Sequence, residues 1–272
     1  MWGVLATSLL FLPLSQVLSL LFLVSSLAMA CYSGVLTFPA TAFLLAIIII
    51  VLLLQKYRQR NVVAAGLELL LVLGVIALFL HLVPGFHNLK VLDKVRTGPL
   101  SAPFTMYYNL DKALVPFILL ACLPTLFKVK KHPSVERMSW VVLILSIPAL
   151  LLLAVALGGL KIELHTPVWI GSFIIANLFF VCLAEEALFR GYLQQRLGQW
   201  LGPYPALVIT ALLFGSAHFA GGLLLMLFAA LAGVIYGLAW LWSGRLWVAV
   251  AFHFALNLMH LLFFTYPLYL PH

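Results

Sequence analysis

The sequence predicts an all-α fold, a polytopic transmembrane helical bundle of eight or nine spans, on three observations. Of its 272 residues, 65% are hydrophobic and only 8% are charged, against roughly 25% charged residues in an ordinary soluble domain. Mean hydropathy is +1.18. Apolar runs of about 20 residues, the length a helix needs to cross the hydrocarbon core, follow one another almost end to end, and the alternating pattern of barrel strands is absent.

Spans are expected near 4–30, 35–54, 62–84, 113–127, 138–160, 168–189, 204–219, 223–243 and 246–265. The first two form one apolar block of over fifty residues, which as a single helix would be roughly 80 Å long. The chain must therefore fold back, with Ser33-Gly34 as the expected turn, and the count is eight or nine. The N-terminal block has no charged lead-in and is too long for a cleavable signal, so a retained span is expected. Trp140, Trp169, Trp200, Trp240, Trp242 and Trp247 fall near span ends, as an aromatic belt at the headgroups requires.

The net charge of +8 is read as orientation, and no nucleic-acid partner is expected. Lys56, Arg58, Arg60, Lys128, Lys130, Lys131, Arg137, Arg190, Arg196 and Arg245 fall in alternate loops; Lys90, Lys94, Arg96, Lys112 and Lys161 fall on the other side. The richer side is cytoplasmic by the positive-inside rule, which puts the N-terminus inside. Cys31, Cys122 and Cys182 lie in apolar stretches and offer no disulfide framework.

Ionisable residues divide the chain. Before about residue 160 the spans are plain aliphatic runs in which Glu68 and His81 are exceptions; from 168 onward they carry Glu185, Glu186, Arg190, His218, His253, Asn257 and His260. Residues 1–160 are read as a transmembrane scaffold and 161–272 as the functional core. Between the third and fourth spans, PGFHNLKVLDKVRTGPLSAPFTMYYNLDKAL (84–114) reads as an ordered interfacial loop or short amphipathic helix, centred near 85–112. Ala229, Gly233 and Gly237, four apart, form a small-residue row for close helix packing.

A charge near the bilayer centre costs on the order of 2.5 to 3.5 kcal/mol on insertion scales, so such residues pair, face the bundle interior and mark function. Glu186 and Arg190 stand at i and i+4, acid before base, the favourable order for an ion pair. Glu185 points about 100° away and lacks that partner. Phe214 and His218 are one turn apart, so the ring can buttress the imidazole. His253, Asn257 and His260 share one stripe of the last span and require partners across the bundle, with Glu185 and His218 the expected ones.

A glutamate, two histidines and an asparagine in a wet cavity permit peptide hydrolysis. Glu185 takes a proton from water with help from His218, and His253 and Asn257 donate to the developing oxyanion. Equally, Glu185, His218 and His253 suit zinc or another divalent metal with an open water position. Other hydrolase designs fit poorly. No HExxH helix is present, Ser216 and His218 are two apart and do not face each other, Asp93 and Asp111 lie in the long loop, and Cys182 has no cationic neighbour. The rival classes are a proton-coupled transporter, with the same residues as a relay, and a non-catalytic membrane scaffold.

These residues resemble a known family, the CPBP intramembrane proteases, which include the CAAX prenyl-protein endopeptidases and bacteriocin-processing relatives. Its pattern, EExxxR, then FxxxH, then HxxxN, is met by EEALFR at 185–190, FGSAH at 214–218 and HFALN at 253–257. The resemblance covers about 165–265. It implies that Glu185 activates water with His218, that His253 and Asn257 form the oxyanion site, and that Glu186, Arg190 and Phe214 support them. It implies a membrane-associated protein or peptide substrate among membrane lipids. The family is often labelled metal-dependent, and a metal-free glutamate mechanism is also proposed for it; the latter is preferred here, with no cofactor required. Some members act as scaffolds or immunity proteins. His260 lies outside the pattern. The expected setting is a bacterial inner membrane, with the site opening toward the cytoplasmic half because Arg190 ends its span there.

Overall fold

The computed structural model describes residues 1–129 and 133–270. Lys130 and Lys131, used above for orientation, lie outside the described residues. The helices are α1 (Trp2–Phe11), α2 (Gln16–Tyr32), α3 (Phe38–Tyr57), α4 (Asn61–Phe79), α5 (Leu110–Cys122) and α6 (Arg137–Ala156). A continuous helical run, α7 (Ile170–Leu201), follows. The fold is completed by α8 (Pro203–Ser216), a 3-10 turn (Phe219–Gly221), α9 (Gly222–Ser243) and α10 (Leu246–Phe263).

Six helices among the described residues are long and apolar enough to cross a membrane: α3, α4, α6, α7, α9 with its preceding turn, and α10. The eight or nine spans expected from hydropathy are not all of that kind. Residues 4–30 are not one span. Pro13 lacks the N–H that a continuing helix needs, and Ser15 caps a new helix by accepting from the Leu18 amide at 3.4 Å. The two pieces lie antiparallel, stapled where Ser8 Oγ donates to Ser19 O at 2.6 Å and Ser19 Oγ donates to Ser8 O at 2.8 Å. The expected 113–127 and 204–219 spans are the short helices α5 and α8.

The 84–114 segment corrects the all-α expectation. It holds an antiparallel hairpin, β1 (Leu89–Val95) with β2 (Phe104–Tyr108), paired Leu89 to Tyr108 and Val95 to Phe104 with an irregular register. Polar side chains lock its base to α5. Asn88 accepts from the Leu110 amide at 2.9 Å and donates to Asp111 Oδ1 at 3.0 Å, while His81 Nδ1 lies 2.6 Å from Asp111 Oδ2. At the hairpin's far end Glu163 accepts from the Leu100 amide (2.9 Å) and from Ser101 Oγ (2.6 Å), and His165 Nε2 is 3.0 Å away. The hairpin, the 157–169 connection and the segment after α10 are thereby tied together.

Hydropathy also ended the sixth span too early. Beyond residue 189 the helix carries Arg190, Gln194, Gln195 and Arg196, which look like an exit from the membrane. Most of these polar groups are held by other helices. Gln194 Nε2 donates to Gly237 O at 3.1 Å, and Arg196 and Tyr192 both donate to Glu68 on α4, each at 2.6 Å to Oε1. Arg190 is therefore interior and fully buried, not a span end.

Candidate active site

The site is built around a change of helical pitch. In α7, residues Leu183–Glu186 form an ordinary α-turn between two π-helical stretches, Ala176–Cys182 and Ala187–Gln194. Such wide turns recur at functional positions because they re-aim side chains. In the first of them Asn177 and Cys182, five apart, come onto one face, and Cys182 Sγ donates to Asn177 Oδ1 at 3.1 Å. At ordinary helical spacing these two would diverge.

The adjacent glutamates separate as their spacing predicts. Glu186 is fully buried, and its Oε1 accepts from Arg190 Nη1 at 2.9 Å and from His253 Nδ1 at 2.8 Å. Arg190 Nη2 reaches on to Gly233 O at 3.1 Å, and its guanidinium carbon sits 4.4 Å from the Phe214 ring centroid. A Cβ at Gly233 would stand 3.1 Å from Arg190 Nη2 and 3.1 Å from Ala211 Cα. The row of small residues on α9 thus does more than let helices approach. At Gly233 and Gly237 it exposes backbone carbonyls to Arg190 and Gln194.

Glu185, by contrast, makes no side-chain hydrogen bond among the described residues, and neither of its oxygens belongs to the sealed, unpartnered atoms, as Glu186 Oε2 does. Its Oε1 lies 3.8 Å from Lys112 Nζ on α5, and its Oε2 lies 4.0 Å from His253 Nε2 on α10. Both gaps exceed hydrogen-bonding distance. The carboxylate is flanked by two cationic or donor groups and bonded to neither.

His253 finds its partner in Glu186 rather than in Glu185 or His218, because Nδ1 turns toward the carboxylate that Arg190 already fixes. Tyr236 stacks on its ring at 4.6 Å and 13°. His218, just beyond the end of α8, donates through Nδ1 to the Phe214 carbonyl at 2.8 Å. That leaves Nε2 unprotonated in the neutral ring. Phe214 stands between the two imidazoles, 4.8 Å from His218 and 5.7 Å from His253 between ring centroids, and is the hub of the site. No carboxylate bonds His218 among the described residues.

Asn257 shares the His253 stripe, but its amide donates to Asn177 Oδ1 at 3.1 Å and faces Cys182 Sγ at 3.7 Å. His260 leaves the site, with Nε2 3.1 Å from Thr265 O and its ring against Tyr266, so the three-residue stripe splits after two. Sequence reading missed Lys112, Asn177 and Tyr236. Lys112 was assigned to a loop, and Asn177 is invisible to a 3.6-residue period. Among the described residues no three His, Cys, Asp or Glu side chains form a group that could hold a metal. As placed, Glu185, His218 and His253 do not make a ligand set.

Residues 167–259 match the family described as type II CAAX prenyl endopeptidase Rce1-like. Over that stretch the chain is similar to that family. All three motifs lie within it, whereas His260 and Lys112 lie outside. A 102-residue stretch is 29% identical to the uncharacterized protein YpbD of Bacillus subtilis (strain 168), covering 37% of this chain and 49% of that protein. The match thus spans about half the length of that relative. No solved structure matches. The chain's long apolar helices, together with this family similarity, point to an integral membrane protein.

Proposed function

We propose that this protein is an intramembrane endopeptidase that hydrolyses a peptide bond of a membrane-associated protein or peptide with a glutamate-activated water. One observation carries the reading: of two adjacent acids, Glu186 is consumed by Arg190 and His253, while Glu185, also buried, makes no side-chain hydrogen bond among the described residues. A general base must be free to accept a proton, and Glu185 is.

In this mechanism Glu185 takes a proton from water, and the oxygen attacks the scissile carbonyl carbon. His218, its Nε2 lone pair free, assists in holding the water. The carbonyl π pair moves onto oxygen. His253 receives that oxyanion through Nε2–H; because Nδ1–H is committed to Glu186, the ring that donates is the imidazolium, which Glu186 stabilises and Tyr236 stacks against. Asn257 adds a second donor once its amide turns from Asn177. The tetrahedral intermediate collapses, and the leaving amine takes the proton from Glu185. No metal is assigned a step. Residues 161–272 act as the catalytic core and 1–160 as its scaffold, in a bacterial inner membrane with the N-terminus cytoplasmic.

The test is cleavage of a membrane-peptide library by the purified protein in detergent, with bound metal assayed on the same samples. Glu185→Gln and His218→Ala are expected to lose cleavage while keeping the thermal unfolding of the wild type. Cleavage that persists in Glu185→Gln overturns the mechanism and leaves a relay or scaffold role for the same residues.

A further inference from the structure

Resting on that reading, we propose that Lys112 is a further catalytic residue, a cationic donor to the oxyanion from beside Glu185 Oε1, while His253 stands beside Oε2. Its ammonium lies 3.8 Å from Glu185 Oε1 and 4.6 Å from the Phe79 ring centroid. Its side chain is 17% exposed, and its three N–H groups make no hydrogen bond among the described residues. It faces the candidate base with its donors unspent.

The other charges nearby are already committed. Asp111, its neighbour, accepts from Asn88 at 3.0 Å and from the Lys112 amide at 2.9 Å, and lies 2.6 Å from His81. Arg190 is sealed against Glu186 and Gly233 O. Among the described residues Lys112 is thus the cation of the site whose side chain has no hydrogen-bond partner, and Asn88 and Asp111 hold the first turn of α5 that carries it.

Its position suits the movement of charge in the reaction. Before attack the negative charge is on Glu185. As Glu185 takes the water's proton and the C–O bond forms, the carbonyl π pair becomes an alkoxide, and the charge moves to an atom a few ångströms away, since the water sits about 3 Å from the base and the carbonyl carbon about 3–3.5 Å from the water. The 3.8 Å separation forms no hydrogen bond in the ground state, so Lys112 breaks none when it turns to the alkoxide. An ammonium on a flexible four-carbon stem can make that turn. A charge-assisted bond formed only in the transition state raises kcat rather than lowering KM. It also supplies a donor while the Asn257 amide is engaged by Asn177.

The test uses the whole 272-residue chain in detergent and the best-cleaved peptide of the library above. Lys112→Met keeps the stem against Phe79 and removes the charge. It is expected to lower kcat by about 10²–10³, the usual loss for one oxyanion donor, with KM within about twofold and thermal unfolding unchanged. Lys112→Arg, which restores charge and donors, is expected to recover kcat by at least tenfold over Lys112→Met. Wild-type kcat in Lys112→Met, or a rise in KM at constant kcat, overturns the inference, as does Lys112→Arg no better than Lys112→Met. Should Lys112→Met unfold, Lys112→Arg and Lys112→Gln decide it: both folded and equally active overturns it, and Arg well above Gln supports it. Cleavage lost in Glu185→Gln but kept in Lys112→Met sinks this inference alone; cleavage kept in Glu185→Gln sinks the hydrolase reading with it.

Discussion

Helices α4 and α7 are both long and apolar enough to cross a membrane, yet 17% of the most apolar stretch of α4 is buried in the protein against 67% of that of α7. Six polar side chains on α7 have a partner on another helix: Asn177 with Asn257, Glu186 with His253, Arg190 and Gln194 with carbonyls of α9, Tyr192 and Arg196 with Glu68. On α4 the single acid, Glu68, faces α7. Lipid asks of a helix face only that it be apolar, whereas a helix enclosed by protein can carry charge if each charge is met. The chemistry therefore gathers where enclosure is greatest. Substitutions on the two helices should differ accordingly.

The largest effect is expected at Arg190. Arg190→Met leaves the sealed Glu186 carboxylate without its guanidinium, and breaking a buried pair by removing one partner costs about 3–5 kcal/mol. Thermal unfolding in detergent should show that loss. Arg190→Lys should recover little of it, since one ammonium cannot reproduce a fork that reaches both Glu186 and Gly233 O. Adding Glu186→Gln to Arg190→Met removes the orphaned charge and should restore part of the stability. A melting curve unchanged by Arg190→Met would mean that His253 alone satisfies Glu186, and the contrast between the helices would rest on packing only.

The Glu186–Arg190 pair was legible in the sequence because i,i+4 geometry is local, and the Phe214–His218 contact was legible for the same reason. Lys112 was not: it is 73 positions from Glu185 in sequence and sits where hydropathy reads a loop. Asn177 was hidden by the π-helical stretch. The partner of His253 was misassigned because spacing along α10 fixes which face is polar but not which acid on α7 it meets. Arg190 looked like a span end because hydropathy counts a charge as exposed, and cannot see a carbonyl of α9 waiting for it. The split at Pro13 and the β-hairpin were missed because both depend on what the segments pack against.

A smaller effect is expected at the aqueous end of the fold, where Glu163 ties the hairpin to the 157–169 connection. Its side chain is only 10% exposed. Burial pushes its carboxyl upward, but hydrogen bonds from Ser101, His165 and the Leu100 amide outweigh this and hold it below its ordinary value. A depressed acid contributes stability that is present above its unfolded pKa and lost as pH falls through its folded pKa. Thermal stability should therefore drop on acidification below about pH 4.3, the ordinary glutamate value. Glu163→Gln should flatten that dependence and cost about 1.5–3 kcal/mol at neutral pH, the scale of a hydrogen bond to a charged group. An acid transition identical in wild type and Glu163→Gln would assign it to other carboxylates.

The smallest effect is the sharpest test of the contrast, because it uses one helix. On α4, Leu70 is 51% exposed and Leu71 is fully buried, one position apart in an equally apolar run. In a soluble protein both would contribute through removal from water. In lipid the outward face exchanges side chain for acyl chain, and these are equally apolar. Leu70→Ala should then change thermal stability by no more than about 0.5 kcal/mol. Leu71→Ala leaves a cavity that the neighbouring helices cannot close, and should cost toward the lower end of the usual 2–5 kcal/mol, since no transfer from water is forfeited. Equal losses at the two positions would mean that the outward face of α4 is covered by protein in the membrane, so that its low burial reflects a missing partner and not lipid.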